Sequence, residues 1–349
     1  MSGSHGSVFG DGGGALLCGV NWIGDAIMSM PAVQAFRERH RDAPIAMLVK
    51  PAVAPLWRMH TAVDRLLVLG PGAVGVWKAS AEARRLGCER AYVLPRSFRS
   101  ALVPYLARIP ARIGMPGHHR DVLLTHVVTP GGGAGRQHQG FEYTDLLTPA
   151  PAIDALEPPM LTVKAGAREA ARRLLAEPGD RGRIGLCPGA ARGPSKQWPA
   201  QHFVELGKRL VANGSGSVAV VGSAAEAPLC ETVAEGIGAG AINLAGRMTF
   251  DIWAAVLEAC RVVVANDSGG MHLAAALRTP VVALYGVTDP DKTGPLGPAR
   301  ILQHSSTRAR DVPRDSSEAR FWLASIQPEE VYEAVQGLLD ESRPGSQND

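Results

Sequence analysis

The chain has 349 residues, of which 46% are hydrophobic and 20% are charged. These proportions exclude a disordered or fibrous protein, and the length predicts two domains of about 150 residues each. Lys and Arg number 36 and Asp and Glu number 33, so the net charge is only +3, which argues against a nucleic-acid-binding protein. Aromatic residues make up only 5%, so we expect an aliphatic core between helices and parallel strands.

The first half of the chain alternates between predicted strands and helices. Strands are expected at 15–20, 45–49, 65–69 and 90–94, and helices at 24–40, 73–86 and after residue 97. Pro31 lies inside the pattern of the first helix, which either begins there or is kinked there. Residues 129–135 are rich in glycine, which indicates a mobile loop, and residues 149–160 are rich in proline, which indicates an interdomain connector.

The second half repeats the alternation. Strands are expected at 184–187, 218–221, 242–244, 262–265 and 281–284, and helices at 200–212, 226–236, 251–259 and 270–277. We therefore predict two successive α/β domains, 15–160 and 161–325, followed by a C-terminal helix and tail at 326–349. Ligands are expected in a cleft lined by loops at the carboxyl ends of the strands.

The five cysteines and the N-terminal residues bear on the location of the protein. The cysteines have no CxxC spacing and their number is odd, which favours reduced thiols over a disulfide framework or a zinc cluster. Residues 1–14 are rich in Gly and Ser and lack the features of a signal peptide, and no run of about 18 apolar residues occurs. We expect a flexible leader over 1–14 and a cytoplasmic protein.

The segment that follows the strand predicted at 262–265 has the composition of an anion site. The turn from Asn266 to Gly270 opens a helix of small residues, and backbone N–H groups at a helix N-terminus suit a diphosphate. Asp267 would then contact a ribose hydroxyl, a sugar hydroxyl or its own turn backbone, and His272 could donate to a phosphate oxygen. Alternatively, Asp267 or Ser268 only caps the helix and His272 is an ordinary surface histidine.

A second segment, PGAARGPSKQWP at 188–199, lies between a predicted strand and a predicted helix. Its Lys196 stands just before the helix, where it can pair with phosphate charge. Lys196 can equally be a solvated side chain in an ordinary loop. The segment is not a P-loop, because GxxxxGK[ST] is absent.

Candidate residues of the first half follow two of its strands. Asp25 stands in a Gly-Asp turn, where it either caps the helix or acts as a general base in the cleft. Arg96, Ser97 and Arg99 follow the strand at 90–94, so two guanidinium groups would face an anionic acceptor. Arg112, His118, His119 and Arg120 add positive charge, either for that acceptor or as a solvated basic loop.

Several enzyme classes are excluded by missing motifs. GxSxG, HExxH and EF-hand loops are absent, and the histidines show no paired metal spacing. The only near match to a dinucleotide fingerprint, Gly12–Gly14, precedes the first strand instead of following it. A Rossmann dehydrogenase is therefore not supported.

Four segments together resemble a known family. They are, in chain order, VNWIGDAIMSMPAVQAF, LPRSFRSALVPYLARIPARIG, PGAARGPSKQWP and NDSGGMHLAAALRTPVVALYG. They are similar to the ADP-heptose:lipopolysaccharide heptosyltransferases of glycosyltransferase family 9, especially to the heptosyltransferase II type, across roughly residues 15 to 300. The resemblance implies a GT-B fold of two Rossmann-like α/β domains facing a central cleft, with an acceptor-binding N-terminal domain and a donor-binding C-terminal domain.

The resemblance also implies roles for individual residues. Asp25 matches the catalytic base. Donor binding is implied for Lys196 near the phosphates, for Glu226 and Met248 at the adenosine, with Glu226 on the ribose, and for Asp267, Ser268, Gly269, Gly270 and His272 in the donor loop. Acceptor binding is implied for Arg96, Ser97 and Arg99.

The chain departs from the family near its end. Residues 305–320 are polar and free of cysteine, where the family often has cysteines and an aromatic-rich stretch. Only the pattern Ile326-Gln327-Pro328-Glu329-Glu330-Val331 remains.

The resemblance implies an inverting glycosyltransferase that moves heptose from ADP-L-glycero-D-manno-heptose to a lipopolysaccharide inner-core heptosyl acceptor without a metal cofactor. The expected partners are ADP-heptose and an anionic lipid-linked oligosaccharide, with peripheral contact to the inner face of the cytoplasmic membrane and no nucleic acid. We expect a monomer. Three other interpretations stay open: the same fold with another nucleotide sugar or acceptor, a sugar-nucleotide epimerase, and a binding protein without activity.

Overall fold

The structure, a computed structural model, describes residues 13–117, 119–131, 136–149, 154–175, 182–309 and 311–342. The chain divides into two compact units, Met1–Thr162 and Val163–Asp349. Most of the expected flexible leader, His118, most of the Gly-rich loop and part of the proline-rich connector lie outside the described residues.

Within its described residues, the first unit contains a parallel sheet of six strands. These are β1 (Ala15–Cys18), β2 (Ile45–Val49), β3 (Arg65–Val68), β4 (Arg90–Val93), β5 (Ala111–Gly114) and β6 (His126–Val127). Their order is β3-β2-β1-β4-β5-β6, all parallel. The chain changes direction across the sheet between β1 and β4, and ligands of such sheets bind at the carboxyl ends of the two strands at this switch point.

Five helices of the first unit are described: α1 (Ile23–Arg39), α2 (Ala54–Trp57), α3 (Gly72–Leu86), α4 (Phe98–Leu106) and α5 (Gln139–Leu147). Helix α1 runs through the buried Pro31, so the interpretation that the helix begins at this proline is wrong. Burial of Pro31 and its neighbours, including Met30, Ala32 and Val33, compensates for the backbone hydrogen bond that a proline cannot donate.

The start of α3 depends on a glycine. A Cβ atom on Gly75 would lie only 2.1 Å from the carbonyl oxygen of Gly70, so any other residue would push the helix away from the loop after β3. The inner face of α3, which includes Val76, Ala79 and Leu86, is buried in the core on that side of the sheet. This packing leaves the opposite face of the helix outside.

Within its described residues, the second unit repeats the same plan. Its strands are β7 (Arg183–Cys187), β8 (Ser217–Val220), β9 (Ala241–Asn243), β10 (Cys260–Asn266), β11 (Val281–Leu284) and β12 (Ala299–Leu302). Their order is β12-β11-β10-β7-β8-β9, all parallel, with the switch point between β7 and β10. The strands predicted in this half are confirmed, with ends shifted by one or two residues.

The helices of the second unit are α6 (Ala165–Leu175), α7 (Ala200–Ala212), α8 (Ala227–Ile237), α9 (Phe250–Ala259), α10 (Gly269–Ala276), α11 (Pro290–Thr293), α12 (Ser317–Ser325) and α13 (Pro328–Glu341). Residues of α7, α8, α12 and α13 join the central strands in one core. Among the described residues, no helix is long and apolar enough to cross a membrane.

All five cysteines are buried free thiols. Burial raises the pKa of Cys18, Cys88 and Cys230 to about 12. Because the thiolate is the reactive form, these three cysteines are unreactive at neutral pH. Their contribution is to the packing of the two cores.

Candidate active site

Two loops at the switch point of the second sheet carry most of the predicted donor residues. Residues 188–199 follow β7, and Asp267 and Ser268 follow the adjacent strand β10. Because neighbouring parallel strands end at the same edge of a sheet, the two loops lie beside each other.

Asn266, the last residue of β10, fixes the loop after β7. Its side chain is completely buried. Its Oδ1 atom accepts a hydrogen bond of 3.0 Å from the backbone N–H of Trp198, and its Nδ2 atom donates to the carbonyl oxygens of Pro188 at 2.8 Å and Gly189 at 3.4 Å. One side chain therefore joins the beginning of the loop to its end. This role of Asn266 was not predicted, although an asparagine directly after the apolar run at 262–265 was a signal for it.

Lys196 lies within the loop that Asn266 fixes. Its ammonium group forms an ion pair with the Asp267 carboxylate, and the two side chains are only 10% and 9% exposed. The interpretation of Lys196 as a solvated side chain is therefore wrong. The structure brings a cation and an anion together beside the N-terminus of α10.

Helix α10 begins without a side-chain cap. Ser268 occupies the N-cap position, as one alternative held, but its side chain accepts no capping hydrogen bond, and Asp267 is not the N-cap residue. The first backbone N–H groups of a helix have no partner inside it and favour an anion. A Cβ on Gly270 would lie 3.3 Å from the sulfur of Cys187, which shows how closely the helix start packs on the sheet.

Two further side chains lie near this helix end. His272 is 3% exposed, so the interpretation as a surface histidine is wrong. Tyr285 is buried, and burial together with the negative charge of Asp267 raises the pKa of its phenol well above the ordinary value. Its hydroxyl donates to the carbonyl oxygen of Thr293 at 2.9 Å. The phenol is thus a neutral neighbour of Asp267.

Glu226 approaches the same loop from the end of β8. Its Oε2 atom accepts hydrogen bonds from the N–H and the hydroxyl of Ser223, at 2.8 and 2.7 Å. Its other oxygen lies against Gly189, where an added Cβ would come within 2.2 Å of Oε1. The structure therefore brings Glu226 to the loop of Lys196. Met248 is partly buried in the turn before α9.

In the first unit, Asp25 lies in the first turn of α1, directly after β1 at the switch point. The N-cap residue is Trp22, so the interpretation of Asp25 as the cap is wrong. Its carboxylate is partly exposed and complements the positive end of the helix dipole.

Three residues were expected to bind the acceptor: Arg96, Ser97 and Arg99. They differ in exposure and in their hydrogen-bond partners. Arg96 is 42% exposed and forms a 3.0 Å ion pair with Glu142. The Ser97 hydroxyl caps α4 by accepting from the N–H of Ser100 at 3.4 Å. The Arg99 guanidinium donates to the carbonyl oxygen of Gly70 at 2.7 Å. Ser97 and Arg99 thus have structural partners, and no sequence pattern predicted Glu142 as the partner of Arg96.

Of the neighbouring basic residues, Arg112 and Arg120 are not part of a solvated loop, whereas His119 is exposed. Arg120 is completely buried, donates to the carbonyl oxygen of Met115 at 2.8 Å and also contacts the carbonyl of Pro95. Arg112 donates to the carbonyl oxygen of Leu123 at 2.7 Å. These two guanidinium groups hold the turns around β5 together, which is a structural role.

Metal-ligating side chains do not cluster in the part of the chain that the structure describes: no three of the His, Cys, Asp and Glu residues there come together in a geometry that could hold an ion. Lys196 is a cation beside the start of α10, and the first backbone N–H groups of that helix add partial positive charge.

Two units with the strand order of nucleotide-binding α/β domains, one with a helix N-terminus beside a buried lysine, are typical of glycosyltransferases of the GT-B class. Comparison with known proteins gives the family. Residues 77–319 match glycosyltransferase family 9 (heptosyltransferase). Lipopolysaccharide heptosyltransferase 2 of Escherichia coli K12 is 34% identical over 93% of this chain and 98% of its own. Lipooligosaccharide heptosyltransferase 2 of Haemophilus influenzae is 30% identical over 93% and 99%.

A solved structure agrees with these relatives. The structure of E. coli ADP-heptose LPS heptosyltransferase II superimposes with a TM-score of 0.81 at 31% identity, covering 94% of this chain and 99% of that one. The chain therefore belongs to glycosyltransferase family 9 and is a glycosyltransferase with the GT-B fold. The family and the fold expected from the four sequence segments are confirmed.

Proposed function

We propose that this enzyme transfers heptose from ADP-L-glycero-D-manno-heptose to a heptosyl residue of the lipopolysaccharide inner core, with inversion at the anomeric carbon. The observation that carries the proposal is the similarity to heptosyltransferase 2 over nearly the whole length of both chains. The buried Lys196–Asp267 pair beside the N-terminus of α10 supports a donor that contains a diphosphate.

The donor is proposed to bind the second unit. Its diphosphate would take the N–H groups of Ser268, Gly269 and Gly270 and the charge of Lys196, with His272 donating to a phosphate oxygen. Asp267 would turn to a sugar hydroxyl, because its charge repels phosphate. Glu226 is proposed to bind the ribose and Met248 the adenine. Glu226 suits the ribose because one of its carboxylate oxygens remains beside Gly189.

Asp25 is proposed as the general base. Its carboxylate would accept the proton of the acceptor hydroxyl while that oxygen bonds to the anomeric carbon, and the bond from this carbon to the ADP oxygen would break on the opposite face. General-base help contributes about 10² to 10⁴ in rate. Lys196 and the helix N-terminus would stabilise the charge that develops on the departing diphosphate.

The acceptor is proposed to be anionic and lipid-linked. Arg96 suits it, because an exposed ion pair such as Arg96–Glu142 is weak and an acceptor phosphate can replace the carboxylate. Ser97 and Arg99 are proposed to line the same surface by holding the start of α4 in place. The monomeric state and the action at the cytoplasmic side of the membrane stay predictions of this proposal.

The experiment is to measure ADP release from ADP-heptose by the purified enzyme, with and without a monoheptosylated or a heptose-free core acceptor. Asp25→Asn is expected to lower kcat by about 10² to 10⁴ and to change the KM for ADP-heptose little. Asp291→Asn is the matched control, because Asp291 also lies in the first turn of a helix. Release that needs no acceptor, or that Asp25→Asn leaves unchanged, would contradict the proposal. Tight ADP binding without release would point to another sugar or acceptor.

A further inference from the structure

The positive charge of this chain is concentrated in one segment. Residues 70–120 contain nine Lys and Arg and only two Glu, a net charge of +7 in a chain whose total is +3. The rest of the chain is therefore net negative. The segment covers α3 and α4, and Lys78, Arg84 and Arg85 of α3 and Arg108 after α4 are exposed.

The outer face of α3 is also apolar. Val74 is 64% exposed and Trp77 is 69% exposed. Lys78 and Arg85 lie on the same side, because residues three, four and seven positions apart share one face of a helix. The acid that adjoins this face, Glu82, lies 3.7 Å from Arg65 in an ion pair. The face thus combines a tryptophan, a valine and two cations.

Helix α4 extends this surface. Phe98, Tyr105 and Leu106 are each close to half exposed. Arg99 joins the starts of the two helices, since its guanidinium donates to the carbonyl oxygens of Gly70 and Gly72 at 2.7 and 3.2 Å. The name α3/α4 face is used below for Val74, Trp77, Lys78, Arg85, Phe98, Tyr105 and Leu106.

We propose that the α3/α4 face docks onto a membrane surface that carries anionic lipid headgroups. Tryptophan and tyrosine are favoured at the headgroup level, aliphatic side chains insert below it, and Lys and Arg are attracted by the negative surface potential. A second copy of the chain fits this face poorly, because Lys78 and Arg85 of one copy would lie against the same cations of the other.

The α3/α4 face lies near the proposed catalytic base, Asp25. Helices α1, α3 and α4 all begin at the carboxyl edge of one parallel sheet, so Asp25 and the starts of α3 and α4 lie at the same edge. If the acceptor is lipid-linked, as the proposed function holds, docking would bring the enzyme to its acceptor. Lipid binding itself requires neither donor nor acceptor, so it can be tested apart from the reaction.

The test is co-sedimentation of the full chain with vesicles, either of phosphatidylcholine alone or of phosphatidylcholine and phosphatidylglycerol in equal parts. The wild type is expected to bind the anionic vesicles and to dissociate as salt is added. The double variant Val74→Ser/Trp77→Ser is expected to weaken vesicle binding about tenfold. The double variant Lys78→Glu/Arg85→Glu is expected to weaken vesicle binding by about fivefold or more for each of its two substitutions. Phe321→Ser is the control, because Phe321 is 65% exposed on α12 in the other unit.

Three results would overturn the proposal: no binding of the wild type to anionic vesicles at low salt, equal binding of the Val74/Trp77 variant, or an equal loss in Phe321→Ser. A dimer in sedimentation that the Val74/Trp77 variant dissociates, without vesicle binding, would instead assign the face to self-association. ADP release with a delipidated acceptor separates the proposed function from the proposed docking. With that acceptor the Val74/Trp77 variant should retain wild-type kcat, and it should lose activity only when the acceptor is in vesicles. If no ADP release occurs but vesicles bind, the proposed function fails and the docking surface stands.

Discussion

The backbone N–H of Trp198 donates a 3.0 Å hydrogen bond to the side-chain oxygen of Asn266, so that the end of a loop after β7 is held by the last residue of β10. The amide nitrogen of the same asparagine holds the beginning of the loop at Pro188. Lys196 comes two residues before Trp198, and Asp267 comes directly after Asn266. The ion pair between Lys196 and Asp267 is thus placed by the asparagine bridge beside it.

Asn266→Asp should weaken ADP binding about tenfold, because an aspartate of the same shape cannot donate to the two loop carbonyls and a buried acceptor loses its partner. Isothermal titration of ADP measures the change. If Asn266 acts by placing Lys196, the same substitution should have little further effect in a Lys196→Ala background. Thr279→Val is the control, because Thr279 also makes a buried hydrogen bond, to Leu257, at the amino end of the sheet. Additive effects of the two substitutions would show that the asparagine does not act through the lysine.

Asp267→Asn should have opposite effects on ADP binding and on the stability of the free protein. The carboxylate competes with the diphosphate for Lys196, so its removal should strengthen ADP binding by about fivefold to tenfold. The free protein should be less stable, because the buried ammonium group loses its counter-charge. Thermal unfolding with and without ADP checks both points, since ADP should raise the melting temperature more in the variant than in the wild type. Weaker ADP binding by the variant would mean that Asp267 itself holds the nucleotide.

The sequence patterns were most informative for the second unit. Residues 262–265 of β10 and the whole of β11 are fully buried apolar runs, and such runs are hard to confuse with loops. Strands β5 and β12 were not predicted, because β5 is partly exposed with an arginine inside it and β12 is exposed or half-exposed throughout. A short strand of this kind is fixed by its neighbour in the sheet and leaves little trace in the sequence.

In the candidate site, too, single motifs could be predicted from the sequence and contacts between them could not. The turn at Asp267 and the loop of Lys196 could be recognised as separate motifs, but the ion pair between them depends on the adjacency of β7 and β10, which sequence spacing does not report. Arg120 and Arg99 were expected at a solvated or acceptor-facing surface. In the structure, both guanidinium groups donate hydrogen bonds to backbone carbonyl oxygens. These bonds depend on how turns distant in sequence pack together.

Transfer should not require a divalent metal, because the cation proposed for the leaving diphosphate is Lys196. ADP release should proceed at an unchanged rate in excess EDTA. Lys196→Ala should lower kcat by about 10² or more, as expected for the loss of a charge that stabilises the transition state. Loss of activity in EDTA that magnesium restores would overturn this expectation and assign charge stabilisation to an ion.

The stability of the first unit should decrease in mild acid because of His60. This side chain is buried, its Nδ1 atom accepts from the N–H of Ala62 at 3.2 Å, and its Nε2 atom lies 3.1 Å from the side-chain oxygen of Gln34. Burial lowers its pKa from 6.5 to about 4. Above the unfolded pKa the histidine is neutral in both states and favours neither. Between that pH and about 4 the unfolded chain binds a proton that the folded chain does not, so the free energy of unfolding falls as the pH falls, by up to about 3 kcal/mol.

Urea unfolding at several pH values between about 7.5 and 4.5 measures this loss. His60→Gln should be less stable than the wild type at the upper end, because packing and hydrogen bonds change, but the difference between the two proteins should shrink toward the lower end. His126→Gln is the control, because His126 is exposed on β6, and its curve should run parallel to that of the wild type. If the curve of His60→Gln also stays parallel to the wild type, the acid sensitivity of the fold comes from other groups, and the neutral, buried state of His60 contributes nothing to it.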